Sequence, residues 1–114
     1  MAVYVKCDDP QKLLTTIRKS VRSGTITTWL VDSDGDLTRA LEQWKHKAWF
    51  RPRIGTERIV FNILAPKGKQ LSRTQYGVYH AKLIETLLNH FDLQFEEAIA
   101  TALPVTGDMI KPPS

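Results

Sequence analysis

The sequence predicts an α+β fold: a two-layer sandwich with a mainly antiparallel four-stranded sheet and two long helices on one face. Two segments carry apolar residues at helical spacing, and four short segments are rich in β-branched and aromatic residues. The last three of these strand segments follow one another without a long helix between them, so they are expected to pair antiparallel. Two helices with one apolar stripe each most simply cover the same side of a sheet. The expected order of elements is β-α-β-β-β-α-α.

The first part of the chain is predicted to form a strand and then a helix. Residues 3–7 are rich in β-branched side chains, and Cys7 at their end is expected to be a buried thiol. Asp9 is expected to cap the helix and Pro10 to take its first position, where a backbone N–H would have no helical partner. The helix itself is predicted over residues 10–22 from apolar residues at helical spacing: Leu13, Leu14, Ile17 and Val21.

The next segment contains a second predicted strand and an acidic turn. Residues 25–31 combine threonine, isoleucine, valine and tryptophan, a composition typical of strands. The Asp34-Gly35 pair then indicates a tight turn. Residues 37–46 fit a helix, a loop or an irregular strand equally well.

Two further strands are predicted in the middle of the chain. Residues 47–54 alternate between apolar and basic or aromatic side chains, and Gly55 turns the chain after them. Proline cannot donate a ladder hydrogen bond, so Pro52 predicts an edge position for this strand or its end nearby. Residues 58–64 are apolar on both faces at their far end, which favours a central position in the sheet.

The last part of the chain is predicted to be helical and then loose. Ser72 and Gln75 have the spacing of a capping box at the start of a helix over residues 73–90. A shorter helix is predicted after Asp92, with a strand as the alternative, because the apolar residues there also alternate. We expect one domain over residues 1–103 and a loosely ordered tail over residues 104–114, which contain three of the six prolines.

The composition restricts the classes of protein. With a single cysteine, an internal disulfide and a multi-cysteine zinc site are both excluded. The apolar runs are too short for a membrane span, and the amino-terminal residues have no secretory pattern, so a cytoplasmic location without membrane contact is expected. No cofactor is predicted. The formal net charge of +4 is uneven, because residues 39–73 hold nine basic and two acidic side chains, a net charge of +7.

This positive segment contains the main candidate site. On the predicted strand, Lys47, Trp49, Arg51 and Arg53 share one face, and the basic loop that follows extends it. An aromatic ring between cations on a sheet face is one way in which proteins hold single-stranded nucleic acid. An acidic protein is the alternative partner, and a solvated sheet face is the ordinary interpretation. We define the basic-aromatic set as Lys47, Trp49, Arg51, Arg53, Lys67, Lys69 and Arg73.

Two other interpretations remain open at this point. Asp32, Asp34 and Asp36 favour a turn, but they could also hold a divalent cation in a metal-dependent enzyme acting on a phosphate-containing substrate. Such an enzyme could recruit His46 or His80, although His80 is expected at a helix edge that meets water. A homodimer through an open sheet face is the remaining interpretation. The sequence favours a small binding or accessory module over an enzyme.

Overall fold

The structure is a computed structural model that describes residues 1–109, and it contains one antiparallel sheet and two helices. The α+β class is therefore confirmed, but the sheet has six strands rather than four. Within the described residues, neither helix is long and apolar enough to span a membrane. The elements in chain order are β1 (Ala2–Lys6), α1 (Pro10–Arg22), β2 (Trp29–Val31), β3 (Leu37–Arg39), β4 (Trp49–Gly55), β5 (Arg58–Leu64), α2 (Arg73–Phe91) and β6 (Glu97–Ala100).

The strand order across the sheet is β2-β3-β4-β5-β1-β6, and all neighbouring strands are antiparallel. Elements β1, α1, β4, β5, α2 and β6 form a β-α-β-β-α-β arrangement, which the β2–β3 hairpin extends beyond β4. β5 pairs with β4 and β1, which confirms its predicted central position. β4 pairs with β3 only between Phe50 and Leu37, so Pro52 lies on a stretch whose other edge has no strand partner among residues 1–109.

Both helices pack on the same face of the sheet. Val3 pairs with Phe61, and Phe50 pairs with Ile63, so these four side chains point to one side, where they are fully buried. The helices add residues to this same apolar core, which confirms a two-layer sandwich: Leu13, Leu14, Ile17 and Val21 come from α1, and Tyr79, Leu83, Leu87 and Phe91 from α2. We call the opposite side of the sheet the outer face.

The predicted helix boundaries agree with the structure because their signals are local. Asp9 caps α1 by accepting a hydrogen bond from the Lys12 N–H at 3.1 Å. At the start of α2, Ser72 and Gln75 form the predicted reciprocal capping box. α1 ends just before Gly24, which has a φ of +84° that glycine adopts without a Cβ penalty.

The second predicted strand is longer than the one in the structure. The strand predicted over residues 25–31 is only β2, because Ile26 is buried against the core and its N–H bonds to the Ser20 carbonyl at the end of α1. That contact makes residues 25–27 part of the exit from the helix, whereas the Thr28 carbonyl accepts the Ala40 N–H next to the β2–β3 pair. The ambiguous segment 37–46 contains β3 and then a series of turns.

The segment after Asp92 is a strand and not the short helix that we predicted first. β6 pairs with β1, with Tyr4 opposite Ile99 and Val5 opposite Ala98. Without this pairing, one edge of β1 would leave its backbone N–H and C=O groups without partners. The hydrogen bonds that β1 needs along this edge therefore favour a strand over a helix in the segment after Asp92.

Residues 105–109 lie against the sheet. The Asp108 carboxylate accepts hydrogen bonds from the Asn62 side chain at 2.9 Å and from the Ile63 N–H at 3.2 Å. Met109 forms a parallel bridge with Leu64. Asn62 projects from the outer face of β5 and is only 3% exposed, so this segment covers part of that face. Residues 110–114 of the predicted loose tail lie outside the described residues.

Cys7 is buried at the end of β1, as predicted, with 1% of its surface exposed. Its backbone N–H donates to the Glu57 carbonyl at 3.0 Å, which ties it to the β4–β5 turn. Burial raises the pKa of the thiol, and the nearby carboxylates of Asp8 and Asp9 raise it further. A thiol in this setting is an inert part of the core.

Candidate functional site

Strand β4 places three members of the basic-aromatic set on the outer face. Phe50 is fully buried on the helix side, so Trp49, Arg51 and Arg53 point the other way. Their cross-strand partners on β5 are Leu64, Asn62 and Val60. The predicted alternation therefore holds for these three residues.

Lys47 does not belong to this strand. β4 begins at Trp49, two residues later than predicted. The reason is a turn just before it: the Lys47 N–H bonds to the Trp44 carbonyl at 3.2 Å, and His46 has a φ of +60°. Lys47 is exposed on this turn, next to the start of β4 and outside the strand alternation.

Trp49 is half-buried, and its indole stacks against a histidine. The ring centroids of Trp49 and His46 are 6.1 Å apart, and the ring planes differ by 16°. This is an offset parallel arrangement, which fixes the orientation of the indole. Trp49 as a whole is partly exposed, and its side chain projects from the outer face.

The charge of Arg51 is already compensated within the protein. Its Nε lies 3.2 Å from both carboxylate oxygens of Asp36, and its Nη2 lies 2.8 Å from Oδ2. These hydrogen bonds and the charge of Asp36 raise the pKa of the guanidinium. The Asp36 side chain is 4% exposed, whereas that of Arg51 is 49% exposed. Arg51 therefore serves first as the partner of a buried carboxylate.

The remaining cations of the set are exposed. Arg53 donates one long hydrogen bond, of 3.4 Å, to the Thr106 carbonyl of the C-terminal segment. Lys67 and Lys69 lie on the loop that follows Leu64, the cross-strand partner of Trp49, so this loop leaves the sheet at the Trp49 end. Arg73 is the first residue of α2 and belongs to the helix layer, so it is not on the sheet face.

The acidic turn is held together by its own hydrogen bonds. Ligand atoms of Asp32, Asp34 and Asp36 all lie within 4.8 Å of one another. However, Asp32 Oδ1 accepts the backbone N–H groups of both Asp34 and Asp36, at 3.0 and 2.9 Å. Asp36 is the partner of Arg51, and Arg18 of α1 donates twice to the Gly35 carbonyl. These contacts explain the three carboxylates as a turn joined to an ion pair.

The side chains of His80 and Asp36 lie on opposite sides of the sheet. His80 packs against Phe50, with ring centroids 5.2 Å apart, so it lies in the helix layer. Asp36 instead binds Arg51 on the outer face. The predicted position of His80 at a wet helix edge is wrong, because Tyr76 and Phe50 enclose it and it is 5% exposed. A centre that combines His80 with the three aspartates is not formed.

The burial of two ionisable groups, His80 and Arg39, was not predicted from the sequence. His80 Nδ1 lies 2.6 Å from the Tyr76 carbonyl, and its Nε2 has no hydrogen-bond partner among the described residues. Burial lowers the pKa of this imidazole. Arg39 is 3% exposed, and we had counted it only as part of the positive segment. Arg39 lies two positions after the apolar Leu37, so in a strand the two side chains point to the same face. This spacing was the available signal that Arg39 faces the core.

No family model, curated protein or solved structure matches this chain. The functional interpretation therefore rests on the geometry of the site alone.

Proposed function

We propose that this protein binds a polyanion on its outer face, and that single-stranded nucleic acid is the class that fits best. The observation that carries this proposal is the half-buried Trp49 ring on the same face as the exposed Arg53, beside the Lys67–Lys69 loop. Bases stack on such rings with about 1–3 kcal/mol each, while cations follow the phosphates.

The ion pairing of the cations in the basic-aromatic set supports the same proposal. Of the six cations in the basic-aromatic set, only Arg51 forms an ion pair within residues 1–109. Of the other five, Arg53, Lys67 and Lys69 lie on or beside the outer face, are exposed and form no ion pair there, so they are available to phosphate groups. An exposed cation that meets a phosphate releases counterions, so binding should weaken steeply with salt.

Fluorescence anisotropy with a short labelled single-stranded RNA or DNA tests the proposal. We expect binding at about 50 mM salt and a linear fall of log affinity with log salt concentration. The double variant R53M/K67M should bind several-fold more weakly than the wild type. The matched control K19M/R22M removes the same charge from α1, in the helix layer, and should have a smaller effect.

Trp49→Leu separates stacking from charge. It should weaken binding to single strands without changing the slope of affinity against salt, because no cation is removed. Duplex DNA and heparin should be affected less by this substitution, because their binding does not depend on an unstacked base. No binding at about 50 mM salt, or equal losses for R53M/K67M and K19M/R22M, would contradict the proposal.

A homodimer through the outer face is the second proposal for this surface. It is supported by the exposed apolar side chain of Ile99 on β6, which is 50% exposed on that face. The C-terminal segment limits this interface, because it already covers Asn62. Light scattering coupled to size-exclusion chromatography tests it: a monomer mass at micromolar concentrations would contradict a stable dimer.

A further inference from the structure

Arg39 is a buried cation without a counter-ion in the part of the chain that the structure describes. It is 3% exposed, and its Nε is buried without a hydrogen-bond acceptor. No ion pair within residues 1–109 includes it. Its guanidinium lies over the Trp29 ring, whose centroid is 5.0 Å from Cζ. An aromatic face offsets only a small part of the cost of burying a charge.

The polar groups around Arg39 are engaged with one another. The Trp29 indole N–H donates to Thr86 Oγ1 at 2.9 Å, and Thr86 in turn donates to the Lys82 carbonyl. The Tyr79 hydroxyl donates to the Trp44 carbonyl and is 3.4 Å from the Arg39 backbone N–H. This network is complete without the guanidinium, which is therefore not needed to satisfy any neighbour.

The carboxylate of Glu85 on α2 already interacts with another cation. Glu85 attracts Arg39 electrostatically, but its carboxylate is exposed and lies 3.4 Å from Lys82 Nζ. Burial lowers the pKa of Arg39, yet a guanidinium remains protonated in proteins. The positive charge therefore persists beneath the surface and lacks a partner.

The chain reaches the surface just after Arg39. The residues that follow it are half-buried at Ala40 and exposed at Leu41, Glu42 and Gln43. The Trp29 ring holds the guanidinium from one side, which restricts its orientation. Its five N–H donors in a planar fork match the paired oxygens of a carboxylate or a phosphate.

We propose that Arg39 anchors an anion-binding site between β3 and α2, which takes the carboxylate or phosphate group of a small ligand. This site is distinct from the basic-aromatic set. Arg39 is the cross-strand partner of Trp29 on the helix side of the sheet, whereas Arg53 lies on the outer face. The two proposals can therefore fail independently.

Thermal unfolding with added anion tests the site in the intact protein. Inorganic phosphate and acetate are titrated separately at constant ionic strength, with chloride as the balancing ion, so that the two ligand chemistries are distinguished. We expect the Tm of the wild type to rise with the logarithm of the concentration of at least one anion. Arg39→Met should lose this rise, while Arg53→Met, which alters the outer face, should keep it. A wild type that responds to neither anion, or an Arg39→Met variant that responds like the wild type, would overturn the proposal.

A second measurement needs no folded Arg39 variant. In the wild type, the Arg39 Nε–Hε signal should move on titration with phosphate or acetate, and the shift should saturate. An Arg39 signal that does not move overturns the site. A signal that is already shifted without added anion, and that returns to an ordinary position in Glu85→Gln, would show that Glu85 neutralises Arg39 and would also overturn it.

Discussion

Two arginines on one strand face show how strongly the surroundings set the role of a residue. Arg51 and Arg53 are two positions apart on β4, and both point outward. Arg51 is held by three hydrogen bonds to the buried Asp36, whereas Arg53 makes one long bond to a backbone carbonyl. Composition counts them equally, but the structure gives the first a mainly structural part and leaves the second available to a ligand.

This contrast predicts that one of two matched substitutions mainly lowers stability and that the other mainly weakens binding. Arg51→Met should destabilise the fold by about 1–3 kcal/mol, because it leaves the carboxylate of Asp36 buried without its charged partner. It should weaken oligonucleotide binding less than Arg53→Met does. Arg53→Met should weaken binding while leaving stability within about 0.5 kcal/mol, as is usual for an exposed side chain. Urea unfolding and anisotropy titrations measure the two effects. If both substitutions changed stability and binding alike, the distinction would be wrong.

His80 predicts a loss of stability in mild acid. Burial lowers the pKa of its imidazole in the folded state below the ordinary value of 6.5, so the unfolded chain takes up a proton first as the pH falls. The stability contributed by neutral His80 is therefore present above about pH 6.5 and is lost as the pH falls toward the folded pKa, by at most about 1.4 kcal/mol per pH unit.

The measurement is the urea midpoint between about pH 7.5 and about pH 5. His80→Gln should show a smaller difference between the two pH values than the wild type, because glutamine does not titrate. The control His90→Gln changes an exposed residue at the end of α2 and should keep the wild-type dependence. An unchanged pH dependence in His80→Gln would exclude this imidazole as its source.

For single residues, a prediction from the sequence succeeds where neighbouring residues in the chain determine the position of the side chain. The shared face of Trp49, Arg51 and Arg53 follows from strand alternation alone. The pair between Asp36 and Arg51 does not, because it depends on Leu37 lying opposite Phe50, a register that no local pattern specifies. The burial of Arg39 was missed for a different reason: the charge of its side chain argued for the surface, although its spacing from Leu37 placed both on one face.

For secondary-structure elements, the helices are determined by local signals, whereas the strands depend on distant partners. Both long helices were predicted to within one residue at each end, because their caps and apolar stripes lie within the helices or beside them. Strand β6 was predicted first as a helix, because residues 91–99 fit two periodicities. Its partner β1 lies about ninety residues away in the chain and supplies the deciding hydrogen bonds.

The C-terminal segment predicts different costs for two glycine substitutions. Gly24 and Gly107 both have positive φ, but an added Cβ meets no atom within 4 Å at Gly24 and lies 2.5 Å from Asn62 Oδ1 at Gly107. Gly24→Ala should therefore cost about 1 kcal/mol from backbone strain alone. Gly107→Ala should cost about 1–3 kcal/mol more, because it also displaces the buried Asn62. Chemical denaturation of both variants provides the comparison. Equal losses would show that residues 105–109 do not hold this contact in solution.

At the scale of the whole molecule, the sheet is unevenly bound together. β5 is paired along its whole length with β4 and over five residues with β1, whereas the β2–β3 hairpin joins β4 through one residue pair. The strand count of four was wrong for a related reason. The added strands are three and four residues long and are defined by distant partners, not by long alternating runs.

This unevenness predicts an order of opening. In native-state hydrogen exchange, amides of β1 and β5 should exchange only through global unfolding, with the highest protection in the chain. Amides of β2 and β3 should exchange through a smaller opening of lower free energy, because few ladder bonds tie the hairpin to the sheet. Equal protection in both regions would instead show that the burial of Trp29 makes the hairpin part of one cooperative unit.

The position of Cys7 has a practical consequence for all of these measurements. The chain has one thiol, and it is buried where the central strand β1 meets the β4–β5 turn. Alkylation of that thiol therefore requires the opening of the part of the sheet that we expect to open last. Each variant carries, without any added label, a chemical reporter whose modification rate measures how often the centre of the molecule comes apart.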